Sequence, residues 1–201
     1  MSAMNKIREP KQERSIETKN KIINAGLEVF ASVGYYGTNT AEIARVAGVS
    51  TGIVYGYFHD KRDILLCVLD IYIQKVTRPI VEIMEGLSAP VDVKDLSEKL
   101  MTEVIRIHED NARLHNTLHA LAATDEGVNS SFIALEREIT EKISSRFIEL
   151  GFDGSAMSEK VHSAMNLIQS FAHEYVFDKH DYIDYSVMRG LILTMVTQLF
   201  A

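Results

Sequence analysis

The stretch that most constrains the fold is residues 38–61, which has the pattern of two short helices joined by a tight turn. Asn39 or Thr40 can cap the first helix, and Gly48 follows its last turn, where a left-handed backbone is commonly needed. Ser50 can cap the second helix, which is only about two turns long and cannot be stable alone. This pattern predicts a helix-turn-helix, whose second helix enters the major groove of DNA.

Apolar residues at helical spacing continue on both sides of this stretch. A first helix is predicted over residues 15–33, and Phe30 and Phe58 are predicted core residues of a three-helix head. A fourth helix is expected to reach about Val76, and Pro79 to bend or end it. Further helices are predicted over residues 80–86, 93–108, 110–123, 125–150, 158–177 and 184–200. No alternation typical of strands is present, so the predicted fold class is all-α.

Charge is distributed unevenly along the chain. Residues 1–62 contain nine Lys and Arg against six Asp and Glu, a net charge of +3, and residues 63–201 contain twelve against twenty-two, a net charge of −10. A basic head on an acidic body concentrates the attraction for DNA at the head. Residues 1–14 are predicted to form a flexible basic arm, which is either a solvated tail or a contact to phosphates or the minor groove.

The composition predicts a cytoplasmic protein with no membrane partner. No run of eighteen apolar residues could span a bilayer, and the N-terminal residues lack the hydrophobic core of a signal peptide. The single cysteine, Cys67, cannot form an internal disulfide, which fits a reducing compartment. Its apolar neighbours favour a small core residue over a redox switch.

Residue types recur at fixed offsets through the head. They are Gly34-Tyr35, Thr38 to Thr40, Ile43-Ala44, Ala47 to Ser50, Gly52, Tyr55, Tyr57-Phe58 and Lys61. This set resembles the DNA-binding domain of the TetR family of bacterial transcriptional regulators, over about residues 15–66. The resemblance implies a helix-turn-helix domain at 15–60, joined by a linking helix to an effector-binding and dimerisation body at 61–201.

The resemblance also implies which residues contact DNA. The predicted residues are Thr40, Ser50, Thr51, Gly52, Tyr55, Tyr57 and Lys61. Phosphate contacts are expected at Thr40, Tyr57 and Lys61, although Tyr57 has the alternative role of a buried partner for its neighbour. Lys61 stands at a helix start, where its charge opposes the helix dipole unless a phosphate compensates it.

The predicted recognition helix departs from the family pattern. Thr51 stands where many members carry Lys or Arg, and Gly56 where many carry His or a larger polar residue. This helix therefore has no cation and no Asn or Gln for bidentate base contacts. The Tyr55 ring can meet a thymine methyl, and Gly52 allows close approach of the backbone to DNA. Either Ile53 or Val54 is expected on the buried side of this helix.

The body is implied by the resemblance to contain a ligand cavity. The predicted pocket residues are Met84, Met101, His108, His115, His119, Phe132, Met165 and Phe171. Methionine and aromatic side chains suit an adaptable apolar pocket, but each of them is more often an ordinary core residue. His115 and His119 share one helical face and have three open interpretations: a metal pair, polar pocket residues or ordinary histidines. No metal or other cofactor is predicted.

The last helix is apolar on nearly every side, so more than one surface must cover it. The resemblance implies that the last two helices form a four-helix interface between two copies of the chain. The predicted dimer residues are Met165, Ile168, Tyr175, Leu191, Ile192, Met195, Val196 and Leu199. A homodimer is therefore expected.

The sequence contains none of the motifs that would indicate an enzyme: no glycine-rich phosphate loop, no His-Glu-x-x-His and no nucleophile elbow. The predicted function is a ligand-responsive DNA-binding transcriptional regulator, a repressor that a small-molecule effector releases from a palindromic operator. Its expected partners are double-stranded DNA, the effector and a second copy of the chain. The alternative is a small-molecule-binding or protein-interaction module on the same scaffold, with little sequence-specific DNA binding.

Overall fold

The computed structural model describes residues 13–201, and within that range it consists of helices and connecting loops without strands. The helices are α1 (Glu13–Gly37), α2 (Thr40–Ala47), α3 (Thr51–Tyr55), α4 (Lys61–Glu85), α5 (Val93–Asp110), α6 (Ala112–Ala122), α7 (Glu126–Glu149), α8 (Met157–Phe177) and α9 (Tyr185–Leu199). The predicted all-α class is confirmed, and the bounds of the last five helices agree with prediction within two residues. None of the described helices combines the length and apolar character that crossing a bilayer requires.

The chain divides into two compact units. The head unit comprises residues 1–73, described from residue 13, together with residues 113–129. The body unit comprises residues 74–112 and 130–201. The head unit therefore extends past residue 60, because the first part of α4 and most of α6 supply buried residues such as Leu69 and Leu118 to it.

Helix α1 is interrupted at Gly34, where the predicted first helix ends. Gly34 has φ 74° and ψ 171°, a backbone conformation that side chains with a Cβ adopt only with strain. One helical turn follows before the chain reaches Thr38, whose hydroxyl donates a hydrogen bond to the Gly34 carbonyl oxygen at 2.7 Å. Thr38 is buried, so this bond fixes the connection that leads into α2.

The prediction that the fourth helix reaches only about Val76 is wrong. Helix α4 continues to Glu85 with Pro79 inside it, so the separately predicted helix at 80–86 is its last part. A proline inside a helix removes one hydrogen bond and costs about 3 kcal/mol. The residues after the proline offset that cost, since Met84 is buried and Ile80 packs against the same cluster.

The body unit is built around α5, α8 and α9, which pack against one another. One buried cluster contains Met101, Ala164, Ile168, Phe171, Ile192, Leu193 and Val196. A second contains Met84, Leu96, Ile143, Phe147, Met157 and Val161. Leu100 and Phe200 pack against both clusters, so the two form adjoining parts of one apolar interior.

Candidate nucleic-acid interface

Side-chain caps fix both helices of the helix-turn-helix. The Asn39 side chain accepts a hydrogen bond from the Glu42 backbone N–H at 2.9 Å, and the Ser50 hydroxyl accepts one from the Ile53 N–H at 3.3 Å. Gly48, between the helices, has φ 67°, in the left-handed region. The predicted caps and turn are confirmed, and the short α3 is held in place by its neighbours rather than by its own propensity.

Buried side chains anchor α3 to the rest of the head unit. Val54 and Phe30 are fully buried, and Phe58 is 1% exposed, which confirms both predicted core phenylalanines. Of the two candidates for the buried side of α3, Val54 takes that place and Ile53 is 42% exposed. An apolar side chain on the outward face of the recognition helix is therefore a feature that the sequence left undecided.

The outward face of α3 carries most of the predicted base-reading residues. Thr51, Gly52 and Tyr55 are exposed, with Tyr55 at 59%. A Cβ built on Gly52 would meet only the Ser50 hydroxyl oxygen, at 3.9 Å. Packing within the protein therefore does not require a glycine at this position.

Two of the residues predicted to contact phosphates, Thr40 and Tyr57, are half-buried. Thr40 is the first residue of α2, and its side chain is partly accessible. The Tyr57 hydroxyl lies 2.8 Å from the Ser15 hydroxyl, which ties the end of α3 to the start of α1. The roles of Thr40 and Tyr57 toward phosphates stay predictions.

Lys61 is engaged inside the head unit. Its ammonium donates hydrogen bonds to the carbonyl oxygens of Tyr35 and Thr38, both at 2.8 Å, and lies 4.4 Å from the centroid of the Tyr35 ring. The prediction that Lys61 contacts a phosphate stays untested, but no phosphate is needed to compensate its charge at the helix start. Two carbonyls and an aromatic face do so, and one of the three ammonium protons remains for another partner.

The other cations of the helix-turn-helix region also have partners within the protein. Arg45 forms an ion pair with Glu42 at 2.6 Å on the surface of α2. Arg62 forms two hydrogen bonds with Asp125, at 2.6 and 2.8 Å. Neutral donors such as hydroxyls and backbone N–H groups therefore have to supply much of the contact to DNA in this region.

The Arg62–Asp125 pair joins residues that are 63 positions apart in the sequence, within the head unit. Asp125 also accepts hydrogen bonds from the backbone N–H groups of Gly127 and Val128, at 2.9 and 3.1 Å, so it caps the start of α7. A Cβ on Gly127 would lie 2.7 Å from a terminal nitrogen of Arg62, so a larger residue there would require the guanidinium to shift. The hydrogen bond from Arg62 is the main reason that the pKa of Asp125 is lowered to about 2.

A family model described as bacterial regulatory proteins of the tetR family matches residues 22–68, which contain the helix-turn-helix and its supporting helices. The head of this chain therefore carries a segment of the TetR-family type. The match begins within α1 and ends in α4, so it lies wholly inside the head unit.

Individual relatives agree with this assignment. The HTH-type transcriptional regulator HbdR of Aromatoleum sp. (strain CIB) is 46% identical over 80 residues, which cover 38% of this chain and 33% of HbdR. This chain thus matches about a third of the length of that relative. An uncharacterized HTH-type transcriptional regulator of Mycobacterium tuberculosis, Rv0472c, is 22% identical over 186 residues, which cover 88% of this chain and 76% of the relative.

Solved structures share the fold along nearly the whole chain. A TetR-family transcriptional regulator from Mesorhizobium loti MAFF303099 superposes with a TM-score of 0.75 and 21% identity, over 94% of this chain and 97% of that one. At that identity the likeness establishes the arrangement of helices and nothing about ligands.

The predicted pocket residues are divided between the two units. His115 and His119 belong to the head unit, and the remaining six belong to the body unit. His115 Nδ1 lies 2.7 Å from the Tyr72 hydroxyl, and both side chains are buried. His119 is exposed and its ring centroid lies 4.1 Å from that of His115.

Within residues 13–201, no group of three or more His, Cys, Asp or Glu side chains is arranged to hold a metal ion. His108, in the body unit, is buried and its Nδ1 donates to the Val104 carbonyl oxygen at 2.8 Å. Burial lowers the pKa of His108, which favours a neutral ring. Cys67 is half-buried, and burial raises the pKa of its thiol, which disfavours the reactive thiolate.

The body unit contains an apolar cavity of about 80 Å³. Its wall is formed by Ile80, Val93, Leu96, Ser97, Leu100, Val104, Ile139, Ile143, Phe147, Val161, Ala164, Met165, Ile168, Gln169, Val196 and Phe200. Met165 is thus the predicted pocket residue that lines it, whereas Met101 and Phe171 belong to the adjoining core cluster and Met84 lines a neighbouring open groove. Phe132 is buried on α7 and is not part of this wall.

Glycine substitutions should separate packing from DNA contact in the head unit. At Gly26, an alanine Cβ would lie 2.5 Å from the Ile64 side chain, so Gly26→Ala is expected to lower the free energy of unfolding by about 1–3 kcal/mol. In Gly52→Ala the added methyl group would not clash, so the free energy of unfolding should stay unchanged or rise by up to about 1 kcal/mol. Urea titrations measure both effects, and a Gly52→Ala protein that unfolds as easily as Gly26→Ala would contradict this account.

The ion pair of Arg62 with Asp125 should contribute modestly to stability. Asp125→Asn keeps a capping side chain but removes the charge, so it isolates the pair, and it is expected to cost about 1 kcal/mol after allowance for the partly exposed Arg62. Asp125→Ala also removes the cap and should cost about 1 kcal/mol more.

The pH dependence of the same pair has a definite sign. The folded-state pKa of Asp125 lies below its ordinary value near 4, so the pair stabilises the head above about pH 4 and this contribution disappears as the pH falls toward 2. The stability difference between wild type and Asp125→Asn should therefore shrink over that interval. A difference that stays constant from pH 7 to pH 2.5 would exclude an electrostatic origin.

Proposed function

We propose that this chain is a DNA-binding transcriptional regulator that responds to a small molecule. The observation that carries the proposal is the capped helix-turn-helix, with a buried Val54 on one side of α3 and exposed Thr51, Gly52 and Tyr55 on the other. That arrangement leaves the outer face of α3 available to the major groove. The match of the family model to this segment supports the same function.

The exposed face of α9 supports a homodimer. Val187, Leu191 and Met195 are spaced four residues apart and are 58%, 61% and 49% exposed. Of the other predicted dimer residues, Ile168, Ile192 and Val196 are buried in the body core, and Met165, Tyr175 and Leu199 are half-buried. Leu191 and Met195 are therefore the predicted residues most available to a second copy of the chain, which would bring two heads to a palindromic operator.

The apolar cavity of the body unit supports a mainly apolar, uncharged effector. Its only polar side chains come from Ser97 and Gln169, and the Ser97 hydroxyl is already bonded to the Val93 carbonyl oxygen at 2.7 Å. Ligand pockets usually measure roughly 300–1,000 Å³, so binding must enlarge this cavity. An effector that prefers the enlarged state would shift the population away from the DNA-binding state, which makes the protein a repressor relieved by its ligand.

A cavity-filling variant tests the effector proposal. In a screen of uncharged apolar compounds, those that raise the melting temperature should also weaken DNA binding. Ala164→Leu, which projects into the cavity, should remove both effects, whereas Ala134→Leu on the exposed surface of α7 should retain them. Ligands that act equally on both variants would place the effector site elsewhere.

A module with little sequence-specific DNA binding is the second candidate. It is favoured by the internal pairing of Arg45, Lys61 and Arg62, which leaves the helix-turn-helix region with few cations for phosphates. The predicted arm, residues 1–14, could supply the missing cations. Only its last two residues belong to the part of the chain that the structure describes. Selection of bound sequences from a random duplex library decides between the candidates. A regulator enriches a palindrome, and the module enriches nothing.

A regulator of this kind would act in the cytoplasm.

A further inference from the structure

The outward face of α3 has an unusual chemical character for a surface that reads bases. Residues 50–57 contain no Arg, Lys, Asn, Gln, Asp or Glu, the side chains that make two-point hydrogen bonds to base edges. The hydroxyls of Thr51 and Tyr55 can each make single hydrogen bonds. This helix therefore cannot distinguish base pairs by paired hydrogen bonds.

Geometry places a glycine at the centre of this face. Successive residues of a helix are about 100° apart around its axis. Since Val54 is buried in the core, the position within α3 most nearly opposite to it is Gly52, with Tyr55 on one flank and Ile53 on the other. Apart from its two chain neighbours and the backbone of α3, the described atom that a Cβ at Gly52 would approach within 4 Å is the Ser50 hydroxyl oxygen, at 3.9 Å. The absence of a Cβ therefore leaves a notch in the face between the exposed side chains of Ile53 and Tyr55.

The two flanking side chains are accessible rather than folded against the protein. Tyr55 is 59% exposed and Ile53 is 42% exposed. Exposed apolar side chains are ordinary when they stand singly, but here they border a notch on the one helix that faces the groove. In the major groove, the apolar feature of a base edge is the C5-methyl group of thymine.

We infer that α3 reads thymine methyl groups, which enter the notch at Gly52 and pack against Ile53 and Tyr55. This inference rests on the proposed function, since it requires α3 to lie in the major groove. The same surface favours thymine over guanine, because neither Ile53 nor Tyr55 can donate two hydrogen bonds to the O6 and N7 acceptors of guanine. The half-site is therefore specified mainly by methyl groups at the notch.

Base analogues test the inference on the dimeric full chain. After an operator is selected from a random duplex library, each thymine is replaced in turn by deoxyuridine, which removes only the methyl group. At the thymine that enters the notch, binding should weaken roughly fourfold per half-site and about sixteenfold when both half-sites are changed, the fold-change for loss of a buried methylene-sized group. Replacing guanines by 7-deazaguanine should change binding less than about twofold.

Protein variants assign the methyl contact to its residues. In Ile53→Ala or Tyr55→Ala, the penalty for deoxyuridine should fall toward onefold at the position that the deleted side chain contacts. Tyr55→Phe keeps the ring and should keep the penalty. Ile133→Ala, a matched change of an exposed isoleucine on α7, should keep it as well.

Each other outcome overturns the inference. Deoxyuridine without effect at every thymine, or a half-site without thymine, would exclude methyl reading while leaving sequence-specific binding intact. A penalty that persists in both Ile53→Ala and Tyr55→Ala would assign the methyl contact to another part of the chain. Failure to select any sequence would overturn the proposed function together with this inference.

Discussion

Replacing Leu191 and Met195 together with glutamate is expected to convert a dimer to a monomer and to weaken operator binding at least a hundredfold. Both side chains are about half exposed or more on α9, so a second copy would bury them, and four carboxylates would meet where apolar groups pack. A monomer has one head and reads one half-site, so it loses the gain of roughly 10²- to 10⁴-fold that a second linked contact provides. Sedimentation equilibrium and operator titration measure the two effects.

The matched control changes two exposed apolar residues elsewhere on the body unit. Ile133 and Ile148 on α7 are 49% and 51% exposed, so Ile133→Glu/Ile148→Glu introduces the same charge at a surface that the proposal leaves free. This variant should remain a dimer with unchanged operator affinity. Val196 is 2% exposed, and Val196→Glu should unfold the body instead of separating two folded copies. A Leu191→Glu/Met195→Glu protein that remains a dimer would contradict the proposal that α9 forms the dimer interface.

Lys61→Met is expected to destabilise the head by about 3 kcal/mol. The ammonium makes two hydrogen bonds to carbonyl oxygens, and charged hydrogen bonds are worth about 1.5–3 kcal/mol each when both partners are otherwise buried. Its position over the Tyr35 ring adds about 0.5–1 kcal/mol, while partial exposure to solvent reduces the total. Methionine keeps the length of the side chain, so the loss reports the charge and its hydrogen bonds.

The same variant separates two roles of Lys61 toward DNA. If Lys61 mainly fixes the connection between α1 and α2, Lys61→Met should reduce the unfolding free energy in urea and weaken all DNA sequences alike. A pure phosphate contact would instead leave stability intact and lower the salt slope of binding by about one per head. Lys99→Met, which removes a lysine from an exposed ion pair with Asp95 on α5, is the matched control and should cost less than about 0.5 kcal/mol.

The helix-turn-helix could be predicted from the sequence because its determinants are local. Asn39, Gly48 and Ser50 act on backbone groups within a few residues of themselves, and the structure confirms each of them. Phe30 and Phe58 follow from apolar spacing for the same reason. Where one side chain or backbone conformation fixes one turn, the order of residues carries the information.

The partners of Lys61 and Arg62 could not be predicted in the same way. Lys61 bonds to carbonyls 23 and 26 residues earlier, and Arg62 pairs with a carboxylate 63 residues later. Such contacts depend on tertiary packing, which residue spacing does not report. The length of α4 could not be predicted for a related reason. Pro79 alone favours an earlier end of the helix, but the burial of Met84 outweighs the local cost of the proline.

The predicted pocket residues show the same limit. Methionines and phenylalanines mark the apolar interior of the body, but composition does not distinguish Met165 on the cavity wall from Met101 in the adjoining core. The cavity wall is mostly aliphatic, and its residues come from α4, α5, α7, α8 and α9. A void left between packed helices has no sequence signature of its own.

Competition binding by the 201-residue chain is the most direct test of the proposed regulator. A labelled operator, selected from random duplexes, is titrated at several salt concentrations with a large excess of unrelated duplex DNA. The account predicts that operator binding persists against this competitor at physiological salt, and that Tyr55→Ala weakens the preference for the operator without abolishing it. Weak binding that is equal for both DNAs and disappears at moderate salt would contradict the proposed regulator. It would mean that the helix-turn-helix does not bind DNA sequence-specifically.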